Sequence, residues 1–373
     1  MEFGIFVQMY LPGAKAHDPE AEHRSVVNEL ELVRAADQHG WKYVWVTEHH
    51  SLPEYSHLSA SESFIPYALA QTKQIHVGSG IMNLNPIVNH PIRLAERVAM
   101  IDHLSEGRFE FGTGRGAGSW EMATFGLDPA STKEPWEEVI WEFKKMWEQQ
   151  EYSFNGKYFS VPPRNILPKP YGGGKTHPPI WVAAGNPATY EKAALHGIGA
   201  LGFNITRIHD MKEHVDSYKQ AIKHAKPVGQ YVNDNVMISN ALVCLEDGDE
   251  ARQVATDMSL SYLQSLMLLY HDTFPISEEM KQFRWPAPFP EPTLADINDR
   301  IDQGFILCGT PAEVLEQVRQ YESVGCDQVV FGMPVGLSQE HALKSIELFG
   351  KHVIPKLDGD PTHRTTKLRY AQR

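Results

Sequence analysis

A carboxylate and two imidazoles stand in a row at Glu48-His49-His50, directly after the apolar run Tyr43-Val44-Trp45-Val46. An unbroken, β-branched apolar run is how a strand buried on both faces reads, and in α/β proteins ligands sit where such strands end. Imidazole beside a carboxylate can hold or move a proton near neutral pH. Taken alone, the triplet is equally a loop cap with solvated histidines. Repetition is what lifts it. Asn83 ends a second such run, Arg115 follows a third, and Gly185-Asn186-Pro187-Ala188-Thr189 joins a fourth to a helical stretch. That last junction offers free backbone N–H groups and a helix dipole to an anion. A guanidinium suits phosphate through its fork of donors, although a loop arginine is as often salt-bridged at the surface. Asn83, likewise, is either a ligand contact or a cap for the loop before Pro86.

These groups converge only if the strands are parallel and all end on one side. The chain does alternate in that way. Strands are predicted at 3–10, 43–47, 75–84, 108–116, 180–184, 200–205, 235–245 and 328–334. Helical periodicity lies between them at 20–39, 61–70, 91–104, 135–148, 187–196, 211–224, 249–270 and from Thr310 onward, with a last helix at 340–350. Pro91 suits a first helical turn and Thr310-Pro311-Ala312-Glu313 has the outline of a capping box. Eight strand–helix units are the count of a closed (β/α)8 TIM barrel, with a doubly wound open sheet as the alternative. The barrel places Glu48, His49, His50, Asn83, Arg115 and the Gly185 loop at one rim.

Two insertions interrupt the series within a single domain, 1–357. Residues 151–178 carry an Asn155-Gly156 pair between alternating residues, a hairpin signal. Residues 271–305 are rich in proline and aromatics. They are expected to form a lid in which Phe283, Trp285 and Phe289, with His50, wall an apolar substrate pocket; an oligomer contact is the other reading. The polar, basic tail 358–373 is expected to be disordered or to reach a partner. A net charge of -13 argues against a nucleic-acid surface. Cys244, Cys308 and Cys326 lie far apart with no metal-type spacing, so no metal site and a reduced, cytoplasmic setting are expected. No apolar run approaches the ~20 residues of a membrane span, and the N-terminus enters a strand without a basic leader.

Three stretches resemble the bacterial luciferase-like flavin-dependent monooxygenases. They are Glu48-His49-His50, His90-Pro91-Ile92-Arg93-Leu94-Ala95-Glu96, and Leu104-Ser105-Glu106-Gly107-Arg108-Phe109-Glu110-Phe111-Gly112 with Gly114-Arg115-Gly116. Gly309-Thr310-Pro311 and Gly325-Cys326-Asp327-Gln328-Val329 look like that family's final helix–strand unit. The resemblance implies a barrel binding reduced FMN (FMNH2) at its mouth, delivered by a separate NAD(P)H:flavin reductase. O2 then forms a flavin hydroperoxide that oxygenates a small hydrophobic substrate, and a homodimer is the family habit. It also implies residue roles. His49 is the active-site histidine. Glu48 and His50 either set its tautomer or touch the reaction. Gly80-Ile81 is a non-prolyl cis peptide under the flavin ring, for which a simple β-bulge is the alternative. Asn83 meets the pyrimidine edge, and Arg115, Ala184, Gly185, Asn186 and Thr189 cradle the phosphate. Two departures stand out: Gly114 where luciferases carry a reactive cysteine, and Ala184-Gly185 where they carry Glu-Ser. A deazaflavin-dependent dehydrogenase of the same superfamily, or a non-catalytic flavin-binding protein, are the competing readings.

Overall fold

Twelve short strands are present in the computed structural model, which describes residues 1–11, 13–52, 55–203, 206–258, 293–333 and 337–371. In chain order they are β1 (Glu2–Val7), β2 (Tyr43–Val46), β3 (His76–Ser79), β4 (Met82–Asn83), β5 (Phe109–Gly114), β6 (Tyr152–Asn155), β7 (Ser160–Arg164), β8 (Ile180–Ala184), β9 (Gly199–Phe203), β10 (Val236–Cys244), β11 (Leu307–Gly309) and β12 (Gln328–Gly332). Parallel pairing runs β1-β2-β3-β5-β8-β9-β10-β12 and returns to β1, which closes an eight-stranded barrel. The open-sheet alternative is thereby excluded. β11 is a short extra strand on the outer end of β10.

Strand alternation sorts the core into two layers. Tyr43 and Trp45 of β2 point inward, where they meet Trp181, Leu201, Met237 and Val330; Val44 and Val46 point outward into the layer beneath the helices. Two indoles fill the barrel only because glycines face them. A Cβ on Gly78 would come within 2.5 Å of the Trp45 ring, and one on Gly199 within 2.2 Å of Trp181. The rings themselves meet edge to face at 5.1 Å.

Several local expectations hold. Helices occupy Ser61–Ala70 and Pro91–Leu104, and Thr310 caps Pro311–Val324 with a full capping box to Glu313. The Asn-Gly hairpin is present as antiparallel β6 and β7, with the Gly156 N–H donating to the Phe159 carbonyl. The predicted strand 75–84 is interrupted instead: the Gly80-Ile81 peptide is cis, and the chain resumes as β4 alongside β5. The predicted helix 135–148 is two, Lys133–Ile140 and Glu142–Glu148. Within the 271–305 insertion the helix Leu294–Asp302 is described, whereas Phe283, Trp285 and Phe289 lie outside the described residues.

The tail corrects the expectation of disorder. Arg364–Tyr370 form a helix lodged against the starts of the strands. The Arg364 N–H donates to Glu2 at 2.9 Å, the Thr365 hydroxyl to Glu110 at 2.5 Å, and Arg369 grips Asp102 with two bonds of 2.8 and 2.7 Å. Lys42 bridges Glu2 and Asp358, and the His363 ring stacks on His76. The tail's polar side chains are matched to buried polar groups at the barrel's N-terminal end, so composition misread them as solvated.

A buried histidine nearby fixes a pH dependence. His177 donates Nδ1–H to the Pro178 carbonyl at 2.8 Å and accepts the Gln230 N–H at Nε2, also at 2.8 Å. Both nitrogens are therefore committed to the neutral ring, and burial lowers its pKa to about 3. The unfolded chain takes up this proton near 6.5 and the folded one does not, so the group's contribution is complete above about 6.5 and is lost as pH falls toward 3. The destabilisation caused by His177→Gln should accordingly shrink by about 2 kcal/mol between pH 7 and pH 5. Urea unfolding at both pH values checks this; an unchanged difference would refute it.

Candidate active site

Residues in or just after seven strands, β1, β2, β3, β5, β8, β9 and β10, build a cavity of about 340 Å³ at the C-terminal mouth of the barrel. β2 runs on into Thr47, Glu48 and His49 on one wall. β5 delivers Arg115 and Gly116 on another, and both His49 and Arg115 face the same space. The floor is Gly80-Ile81, with Phe6 and Trp45 beside it, and Ala183, Gly185 and Gly202 form a wall without bulk. Gly114 is explained by this floor: a Cβ there would stand 2.5 Å from Ile81 Cγ1. The space a cysteine would need is taken by isoleucine.

His49 is held from two sides. Its Nδ1 lies 2.9 Å from Glu121 Oε2, and its ring meets Tyr55 edge-on at 5.0 Å. Glu48 is anchored by the Ser61 hydroxyl at 2.5 Å and stands 3.5 Å from His50 Nε2, which is close enough for its charge to raise the His50 pKa from the ordinary value. Arg115 is half-buried. No carboxylate or other side-chain partner meets it among the described residues, and burial lowers its pKa from the ordinary arginine value. An unpaired cation in a largely apolar cavity is a site for an anion.

Several expected contacts lie outside the cavity wall. His50 packs edge-on against Phe125. Asn83 accepts the Asn85 N–H through Oδ1, which is the loop-cap reading. The Ala184 side chain is buried in the outer layer; Ala183, one residue earlier, faces the cavity. Asn186 caps the helix Pro187–Leu195, and the Thr189 hydroxyl is turned back onto that cap at 3.2 Å. Sequence reasoning missed Glu121, Tyr55, Trp45, Ala183 and Met237. For Ala183 and Trp45 the signal was available in strand alternation; for Glu121 it was not.

The arrangement is a barrel enzyme with its ionisable groups at the strand ends, and the comparisons agree. A family model described as luciferase-like monooxygenase matches residues 1–328, and the chain belongs to that family. The oxygenase component of flavin-dependent trigonelline monooxygenase from Acinetobacter baylyi is 27% identical, over 99% of this chain and 100% of that one. The oxygenating constituent of 3,6-diketocamphane monooxygenase from Pseudomonas putida, solved with FMN, superposes with a TM-score of 0.75 at 20% identity, over 95% and 99% of the two chains. Coenzyme F420 dependent tetrahydromethanopterin reductase from Methanopyrus kandleri shares the fold at a TM-score of 0.65 and 20% identity, over 96% and 100%. No helix among the described residues is long and apolar enough to cross a membrane.

Proposed function

We propose that the chain is the oxygenase of a two-component flavin-dependent monooxygenase. It takes reduced FMN from a separate reductase and, with O2, oxygenates a hydrophobic organic substrate. The observation that carries this reading is the shared cavity: His49 and the unpaired Arg115 face one space floored by Gly80 and Ile81. The relative named as an oxygenase component supports a separate reductase. A homodimer belongs to the same proposal, supported by Tyr67, Met100 and Leu104, exposed on neighbouring helices.

The bound reduced flavin supplies the oxygen activation. The chain's own part is binding, orientation and proton handling. Arg115 would hold the phosphate through its guanidinium fork. Gly80 and Ile81, with the small residues Ala183, Gly185 and Gly202, would seat the ring system. His49 would hold or move a proton at Nε2 toward whatever reacts above that floor. The apolar walls Phe6, Trp45, Leu201 and Met237 exclude water and favour a hydrophobic substrate.

Anaerobic loading with chemically reduced FMN, followed by mixing with oxygenated buffer, tests the reading. Reoxidation in more than one phase, slower than for free FMNH2, is the expected result. Reoxidation at the rate of the free flavin would defeat it. Transfer of hydride from reduced deazaflavin to a ketone panel, with no effect on oxygen, would move the chain to the dehydrogenases instead. Flavin binding with neither activity would leave a flavin-binding protein.

A further inference from the structure

We propose that Glu121 is a positioning residue of this site, fixing the tautomer of His49; the proposal rests on the reading of His49 as the proton-handling group. Glu121 is only 2% exposed, and its Oε2 lies 2.9 Å from His49 Nδ1. An ionised carboxylate can only accept, so the neutral ring beside it carries its proton on Nδ1. Nε2 then keeps a lone pair on a side chain that lines the cavity, because the Glu121 bond engages Nδ1 alone.

The carboxylate is itself fixed in place by its flanking residues. It sits in the helix Gly118–Thr124, which follows β5 and the Arg115 loop. On one side Trp120 donates its indole N–H to the Ser51 carbonyl at 3.0 Å, tying that helix to the loop that carries His49. On the other side Met122 packs under Gly116, so closely that a Cβ on Gly116 would fall 2.0 Å from Met122 Cε. Gly116 itself has φ +87°, a left-handed conformation that suits glycine. The chain that delivers Arg115 to the cavity thus also delivers Glu121 to the back of His49, and one loop sets both groups. Tyr55 also meets the ring, edge to face with centroids 5.0 Å apart. Free imidazole side chains have no such preference imposed on them, and a ring in the opposite tautomer would present N–H rather than a lone pair to the cavity.

Long-range proton–nitrogen NMR of the full chain labelled with nitrogen-15 histidine reads the tautomer directly. The His49 signals are assigned by their loss in His49→Gln. The wild-type protein should show His49 protonated on Nδ1 and bare at Nε2, and Glu121→Ala should lose that exclusive pattern. A wild-type ring protonated on Nε2, or a Glu121→Ala ring with the pattern intact, would overturn the proposal. If Glu121→Ala misfolds, the wild-type spectrum alone decides. The measurement needs neither flavin nor substrate, so its outcome is separate from the fate of the oxygenase reading.

Discussion

Arg369→Met should cost about 3–5 kcal/mol of folding stability, the usual penalty for leaving one member of a buried ion pair without its counter-ion. The side chains of Arg369 and Asp102 are 1% and 0% exposed, and the guanidinium meets both carboxylate oxygens. Its other side-chain hydrogen bonds go to the carbonyls of Gly107 and Tyr171, so the substitution also strips acceptors of their donor. The helix Arg364–Tyr370 is held to the barrel chiefly by such polar matches, and losing the anchor weakens the neighbouring bond from Thr365 to Glu110. Urea denaturation would register the loss as a lower midpoint at an unchanged slope. Arg369→Met combined with Asp102→Leu should recover part of it, because neither charge is then stranded, although the Tyr171 N–H loses its Asp102 acceptor. A loss under about 1 kcal/mol in the single variant would mean that the tail is not part of the folded barrel.

The barrel was readable because strand and helix carry different periods. β2 announces itself as Tyr-Val-Trp-Val, and Gly40 and Gly107 mark helix ends at φ +80° and +87°. The polar groups at the strand ends followed from the same pattern, which is why His49 and Arg115 could be placed at one rim. What failed, failed for physical reasons. Side chains alternate with a period of two along a strand, so a slip of one residue exchanges Ala184 for Ala183 and turns the wrong group to the cavity. Glu121 lies on a seven-residue helix, too short for a periodic signal, and its partner is 72 positions away. The tail was misread because composition registers polarity but not partners. Arg364, Thr365 and Arg369 look solvated until Glu2, Glu110 and Asp102 are known to be buried opposite them. The cis peptide at Gly80-Ile81 left no compositional mark, and only the family resemblance pointed to it.

Arg115→Leu should weaken FMN binding by roughly 10- to 100-fold while leaving riboflavin affinity unchanged, since a hydrogen bond to a charged group is worth about 1.5–3 kcal/mol. The two ligands differ only in the phosphate, so their ratio isolates what the guanidinium does. The salt dependence of FMN binding should fall with it, because the screened interaction has been removed. The ligand-free protein should respond in the opposite sense. Arg115 is half-buried without a counter-ion among the described residues, and burial already lowers its pKa from the usual arginine value. Leucine relieves that burden, so the thermal midpoint without ligand should hold or rise even as FMN affinity drops. Anaerobic titrations with both reduced flavins, together with melting curves of the free protein, test both halves. Equal weakening of riboflavin and FMN would show that Arg115 shapes the cavity rather than meeting the phosphate. A fall in both affinity and melting temperature would show an internal partner for the guanidinium, and the anion site would have to be sought at the exposed Gly185–Asn186 turn instead.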